Sequence, residues 1–452
     1  MSHSSHAPTK SPPRQQPKRA AIASVMGGAL EYYDFALFAS AAAIIFPKLF
    51  FHDSEAAVLA SFATFGAAYL ARPLGAIIIS HIGDRQGRKH ALLLTISLMG
   101  VATFLIGCLP TYDSIGILAP ALLVTLRLVQ GFSAGGELAG ASSLTMEHAP
   151  EGRRAFVSSF SLVGVGIGMV MANAIMIPIT ALPDDILYTW GWRLPFWLSA
   201  VVLVIGIWVR RSLDEPEAFE NAETSKAPPF IAVFRENPQG VIRVALCNLF
   251  AVVQTVTTVF GLSYAIQQGV NSTTMVAIVT ASQFISIFAR PLCGLAADRF
   301  GRKPVFIFGA ASSGLLIFPF FSAIASGNVF MIAVSMILLT GVAISFADGA
   351  YPAFFSEMFN AKIRYTGMAI GLQIGILLSG FSPTIGRALQ GEDTANWIPV
   401  AIMTAVCSAI AVLAALTAKE TFRTPLEQLG IKNTRAEAST IADPDKATIP
   451  AS

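Results

Sequence analysis

Along the chain, apolar stretches of about 20 residues alternate with short polar breaks, and the alternation runs from residue 21 to residue 418. A bilayer core about 30 Å thick is crossed by an α-helix of roughly 20 apolar residues. Twelve stretches meet that length: 21–46, 57–81, 91–109, 115–140, 157–180, 193–210, 241–265, 273–296, 304–325, 329–356, 365–387 and 396–418. They lack the alternation over about ten residues that an outer-membrane barrel strand shows, and Gly and Pro are tolerated in membrane helices. The pattern predicts an all-α polytopic membrane protein with 12 transmembrane helices.

The polar breaks carry the topology. Of 30 Lys and Arg residues, 24 fall in or at the edges of segments on one side of the predicted membrane. The other side holds Lys48, Arg193 and Arg387, while Arg72, Arg127 and Arg290 lie within spans. Basic loops stay in the cytoplasm, so both termini are expected there. The net charge of +3 then follows from topology, and no nucleic-acid partner is expected. Residues 1–20 read as a disordered cytoplasmic tail, 21–210 as a six-helix bundle and 211–240 as a charged cytoplasmic linker. Residues 241–418 form a second six-helix bundle, and 419–452 a second disordered cytoplasmic tail. The apolar run after the first tail is too long for a signal-peptide core, so no cleavage is expected.

Chemistry of other kinds finds little support. Cys108, Cys247, Cys293 and Cys407 all sit in apolar spans without metal-ligand spacing, as small buried hydrophobes do. His3, His6, His52, His81, His90 and His148 lie in tails, loops or span ends, and no HExxH occurs. No G-x-x-x-x-G-K-[ST] phosphate loop is present either, which argues against ATP-driven pumping by this chain. The chain is not expected to be an enzyme, and no cofactor is expected.

One pattern is spelled twice. Residues 84–89 read DRQGRK and 298–303 read DRFGRK, 214 positions apart, after spans 2 and 8. ARPL likewise occurs at 71–74 and 289–292. Positive-inside topology would ask for Lys and Arg but not for the aspartate and glycine. Corresponding positions in two sets of six spans point instead to two pseudo-symmetric halves around a shared cavity.

The loop pattern G-x-x-x-D-R-x-G-R-K resembles the signature of the major facilitator superfamily; it is complete from Gly294 to Lys303, while Ser80 stands at the first glycine of the other copy. The resemblance implies a cytoplasmic gate in which Asp84 and Asp298 pair with arginines or helix ends, with Arg85, Gly87, Arg88, Lys89, Gly294, Arg299, Gly301 and Arg302 around them. A narrower likeness spans residues 27–367: GGALEYYDF (27–35), RPLG (72–75), RLVQGFSAGGE (127–137), WGWRLPF (190–196), RRSLDEPEAF (210–219) and SEMFNAKIRYTG (356–367). These resemble the metabolite:proton symporter family, and the last adds Glu357 and Arg364 to the gate. The family carries dicarboxylates, tricarboxylates, shikimate-like or aromatic acids, or the osmolytes proline and betaine. What it implies is a monomeric carrier in the inner membrane, driven by the proton gradient without a cofactor. Organic-anion symport is the first expectation; osmolyte uptake, and efflux or exchange of organic acids, are the alternatives.

Charges inside the membrane mark the candidate site. A charge at the bilayer centre costs about 2.5–3.5 kcal/mol on insertion scales, yet Glu31, Asp34, Arg72, Arg127, Glu137, Arg290 and Asp348 all fall within spans. Glu31 and Asp34 share a face of the first helix and, with Glu137, are candidates for proton coupling. Tyr32 and Tyr33 are candidates for the same cavity. On span 4, Arg127, Gln130, Gly131, Ala134 and Glu137 fall within about 120° of one another, a small-and-polar stripe. Two readings of Arg127 stand open: a contact to a substrate carboxylate, or an internal ion pair with Glu31 or Asp34. Arg72 is a substrate candidate as well, with Asp348 and Gln254; Arg290, Gln283, Gln373 and Asn248 read first as interhelical contacts.

Overall fold

The computed structural model describes residues 17–430 apart from 52–55, 87, 136–141, 143–144, 147–148, 213–228 and 362. Gly87 and Glu137 therefore lie outside the described residues, and of Asp84, Arg85, Arg88 and Lys89 only the backbone is described. Among the described residues, twelve long helices lie in the twelve apolar stretches. They are α1 (Pro17–Ile44), α2 (Ala57–Gln86), α3 (Arg88–Cys108), α4 (Leu118–Ser133), α5 (Arg154–Thr180) and α6 (Leu194–Ser212). The second set is α7 (Pro238–Gln267), α8 (Ser272–Phe300), α9 (Arg302–Ala325), α10 (Val329–Ser356), α11 (Arg364–Gln390) and α12 (Ile398–Leu416). No strand occurs among the described residues. Among the described residues, eight of the twelve are long and apolar enough to cross a membrane by themselves.

Local chemistry sets the breaks. Between α9 and α10 the chain turns at Gly327, whose φ of 66° suits a residue without Cβ, and Asn328 caps α10 by accepting the Met331 N–H at 3.1 Å. Residues 229–236, within the linker segment, form a short helix, and Asn237 then caps α7 through the Gly240 N–H at 2.9 Å. The polar segment after α12 runs back over the bundle: Glu420 accepts the N–H groups of Arg302 and Lys303, each at 3.0 Å. These bonds satisfy the otherwise orphaned donors at the start of α9.

The packing repeats with an offset of six helices. α1 packs on α5 as α7 packs on α11; α2 on α4 as α8 on α10; α3 on α6 as α9 on α12. The halves meet through α2 against α11 and α5 against α8, again an equivalent pair. The repeated ARPL and DRxGRK segments thus occupy matching helices. Polar residues turn inward and apolar ones toward lipid: on α8, Gln283, Ser286 and Arg290 are buried, while Phe284, Phe288 and Leu292 are 53%, 59% and 64% exposed.

Close approach inside each half depends on glycine. A Cβ on Gly131 of α4 would lie 1.9 Å from the Ala68 carbonyl oxygen of α2, and one on Gly75 would lie 1.8 Å from that of Phe132. In the second half, a Cβ on Gly349 of α10 would lie 2.5 Å from the Arg290 oxygen. With lipid as apolar as the side chains, such backbone contact is what draws the helices together. α7 and α10 also depart from regular α-geometry, with π turns at Val256–Phe260 and Ile337–Ala343. Both flank cavity residues, as π turns in functional helices often do.

Replacing Gly131 by Leu is expected to prevent tight α2–α4 packing, because the clash is with backbone. Overpacking of this kind costs about 1–3 kcal/mol or more. The check is thermal unfolding of detergent-solubilised protein, where an unchanged melting temperature and monodisperse elution would contradict the packing scheme.

Candidate functional site

A central cavity of about 140 Å³ lies where the halves meet, lined from α1, α2 and α5 on one side and from α7, α8, α10 and α11 on the other. The two arginines of the repeated ARPL segments, Arg72 and Arg290, both line it. Each is held by a carboxylate of its own half. Arg72 Nη2 donates to Glu31 Oε1 at 2.8 Å, and both side chains are buried. Arg290 Nε donates to Asp348 Oδ2 at 3.0 Å, and its Nη1 donates across the interface to the Leu162 carbonyl at 2.6 Å. Breaking a buried pair by removing one partner costs about 3–5 kcal/mol, so each arginine needs a substitute anion before it can leave its acid.

Around these pairs the wall is aromatic on one side and amide-rich on the other. Tyr32, Phe35 and Tyr69 face the cavity, and the Arg72 guanidinium carbon lies 4.4 Å from the Phe35 ring centroid. Opposite stand Gln254, whose amide nitrogen and oxygen are both buried without a hydrogen-bond partner, and Gln283, whose amide nitrogen is likewise unpartnered. Buried polar groups usually have partners, so these amides are poised for a polar ligand. Gln373 donates to the Gly135 carbonyl across the halves and also lines the cavity. Asn248 donates to the Leu372 carbonyl at 3.2 Å.

Arg127 is fully buried behind this wall and does not line the cavity. Its guanidinium carbon lies 4.4, 4.2 and 5.1 Å from the ring centroids of Phe35, Phe38 and Phe65. Among the described residues no carboxylate lies within salt-bridge distance of it: Glu31 is paired with Arg72, and Asp34 keeps an unpartnered, buried Oδ1. A desolvated cation–π contact contributes about 2 kcal/mol or more. Two such contacts already offset the cost of about 2.5–3.5 kcal/mol for a central charge, and a third ring completes the enclosure. Arg127 Nη1 also donates to Gln130 Oε1 at 3.1 Å, and Gln130 donates to Thr103 Oγ1 at 2.7 Å.

At the end of the bundle that carries the DRxGRK motifs, the second copy joins the halves. Asp298 accepts the Ala155 and Phe156 N–H groups at 3.0 and 2.8 Å, which places a carboxylate on the N-terminus of α5. Arg302 Nη1 sits 3.0 Å from the same carboxylate, and its Nε lies 3.3 Å from Glu357. Glu357 in turn lies 3.2 Å from Arg154 of the first half and accepts from Thr421. Burial pushes the Glu357 carboxyl above its usual range, while Arg302, Arg154 and Thr421 pull it back. Gly294 allows the crossing, since a Cβ there would lie 3.0 Å from the Ala155 oxygen. Toward the far end, α1 packs against the last turns of α7, Gly261–Gln267.

A family model described as Major Facilitator Superfamily matches residues 25–282 and 245–443. The chain belongs to the major facilitator superfamily. Among similar proteins is the shikimate transporter of Escherichia coli K12, 38% identical over 419 residues, covering 90% of this chain and 95% of that protein. The proline/betaine transporter of the same organism is 31% identical, covering 91% of this chain and 85% of that one. Among solved structures, a D-xylose–proton symporter superposes with a TM-score of 0.69 at 18% identity, covering 90% of this chain and 98% of that one. At that identity the likeness speaks for the fold. This facilitator is accordingly a multi-pass protein of the inner membrane.

The geometry sorts the residues singled out from sequence. The cavity gathers Tyr32, Arg72, Gln254 and Asp348, together with Arg290. Tyr33 turns away and donates to the Pro195 carbonyl at 3.1 Å, because adjacent residues on a helix point about 100° apart. Gln130 holds Arg127 instead of facing the cavity. The Arg127–Glu31 pair weighed from sequence is replaced by Arg72–Glu31, since α2 and not α4 brings its guanidinium to that acid. Of the residues expected at a gate, Arg299 is exposed, whereas Arg364 is buried at the start of α11. Gly301 adopts a φ of 106° that joins α8 to α9.

Some residues had a readable signal that went unused. Asn173, the one amide in the apolar run of α5, accepts from Ser40 at 3.0 Å and lines the cavity with it. Arg154 reads from sequence only as a topology charge. Exchanging Asp298 for Asn removes the charge on α5 and one of the two carboxylates beside Arg302. The expected outcome is easier opening of the motif end, seen as faster thiol labelling of a cysteine placed at Ala155 in an otherwise cysteine-free protein. Labelling at the parent rate would show that the contact does not latch the halves.

Proposed function

We propose that this facilitator is a proton-coupled symporter that brings a small organic anion across the inner membrane by alternating access. The substrate class is a shikimate-like acid or a di- or tricarboxylate. One observation carries this reading: two guanidiniums, one from each half, face a single small cavity, and each is already occupied by a carboxylate. An incoming carboxylate substitutes for that partner, and the guanidinium fork is able to take it in a bidentate pair. The displaced acid, left without its cation in a low-dielectric site, takes up a proton. Anion and proton thus enter together, and both halves are drawn onto one ligand.

Direction and energy follow from the same parts. The Lys and Arg bias places the termini and the motif end in the cytoplasm. Asp298, Arg302, Glu357 and Arg154 then form the cytoplasmic gate, with Asp84 as the matching residue of the first half. One proton entering with a monoanion moves no net charge, so the pH difference drives it: each unit supplies about 1.4 kcal/mol, enough for roughly ten-fold accumulation. Asp34 is the second proton site, since its buried oxygen has no partner. Each chain holds a complete cavity, which supports a monomer as the working unit and the proton gradient as its energy source.

A second reading draws on the aromatic wall. Tyr32, Phe35 and Tyr69 together with the acids suit a quaternary ammonium such as betaine, and the proline/betaine transporter is among the relatives.

Uptake of labelled shikimate, citrate, 2-oxoglutarate and betaine into proteoliposomes, with and without an inside-alkaline pH difference, separates the two. Accumulation of an acid and not of betaine is expected; betaine alone would install the second reading, and indifference to pH would remove proton coupling. Glu31→Gln and Asp34→Asn are each expected to lower gradient-driven accumulation by ten-fold or more while protein levels in the membrane stay normal. Arg72→Lys is expected to raise the half-saturation concentration for the acid by ten-fold or more, and an unchanged value would make Arg72 a purely structural cation.

A further inference from the structure

The Glu31–Arg72 pair stands between two separate spaces. Arg72 lines the central cavity and Glu31 does not. Glu31 lines instead a second pocket of about 20 Å³, set within the first half among α1, α3, α4 and α6, which Arg72 does not line. Asp34 lines this second pocket too, is only 5% exposed, and has its Oδ1 buried without a partner. Three hydroxyls complete the polar wall: Thr95, Ser133 and Ser199. Ser133 and Ser199 give their protons to the Gln130 and Phe196 carbonyls at 2.7 and 2.6 Å, so their oxygens remain acceptors.

A water molecule requires roughly 10–15 Å³ of such space and two to four polar partners. This pocket has both. An apolar packing defect of the same size would stay dry, but one bordered by two carboxylates and three hydroxyls does not.

We propose that the second pocket is a water site that delivers protons to Asp34 and Glu31, so that proton and substrate reach the Glu31–Arg72 pair from opposite sides. The inference rests on the symport reading. A hydrated proton reaching the pocket passes its H⁺ to a carboxylate oxygen and leaves neutral water behind. When an anion takes Arg72 from the central cavity, Glu31 loses its cation and accepts that proton. The guanidinium keeps one anionic partner throughout, and the only net change on the protein is a neutral Glu31. The groups in electrostatic reach of the two acids are Arg72 and Tyr69 on α2, Arg127 on α4, Tyr32 and Tyr33 on α1, and Tyr351 on α10. Among the described residues, α3 and α6 bring only hydroxyls and apolar atoms to the pocket. Substrate size is thereby uncoupled from proton access.

The test uses full-length protein in proteoliposomes with labelled shikimate, and labelled betaine as a second probe. Ser199→Val places methyl groups in the pocket, and Thr95→Val removes a hydroxyl at nearly constant volume should the first variant fold poorly. For the probe that wild type concentrates, the expected result is a loss of ten-fold or more in accumulation driven by a pH difference. Exchange of labelled for unlabelled probe at equal pH should persist, with half-saturation within two-fold of wild type. Accumulation at the wild-type level in both variants overturns the proposal, and so does loss of exchange together with accumulation, which would put the pocket on the substrate path. If wild type itself accumulates neither probe in response to the pH difference, the symport reading fails first and the inference falls with it.

Discussion

A guanidinium at membrane depth must be given an anion or an aromatic face, and the arrangement of this transporter follows from how three of them are accommodated. Arg72 and Arg290 are given carboxylates, at 2.8 and 3.0 Å, while Arg127 is packed against three rings. On the proposed reading the first solution is exchangeable, because a substrate carboxylate stands in for Glu31 or Asp348. The second is not, because phenyl rings neither titrate nor leave. Ion-paired guanidiniums therefore sit on the cavity wall, and the ring-enclosed one sits behind it.

The same distinction holds at the motif end. Asp298 binds Arg302 within its own half and the N-terminus of α5 in the other, so one carboxylate belongs to both bodies. Charge-assisted bonds of this kind are strong but need no repacking to break, unlike the interlocked glycine contacts within each half. Rigid halves and rearrangeable contacts between them are what a rocking movement requires. The bonds from α8 to the Leu162 carbonyl and from α11 to the Gly135 carbonyl make the cavity itself part of that interface. A ligand bound there touches both halves, and its charge bears directly on how firmly they are held.

Much of this was legible in the amino-acid order. Apolar run length reports bilayer thickness, and the doubled ARPL and DRxGRK segments report two alike halves. These signals are local or repeated, so they survive without knowledge of contacts. The candidate site was legible as a set of residue types, since a charge within an apolar run is costly wherever it points. Its wiring was not. Glu31 lies 41 positions from Arg72 and 96 from Arg127 (by residue number), and nothing in those separations says which guanidinium the crossing of α1, α2 and α4 brings within 2.8 Å.

By itself, then, the sequence determined the membrane, the helices, their pairing into halves and the inventory of charges, because hydrophobic transfer acts residue by residue. Only the tertiary structure decided that Tyr32 faces the cavity while Tyr33 is bonded to the Pro195 carbonyl. It alone decided that Arg127 is enclosed by rings, and that Glu31 borders a pocket separate from the one Arg72 lines. Those outcomes depend on the rotation of each helix about its axis and on where glycine lets two backbones touch, which are properties of pairs of helices.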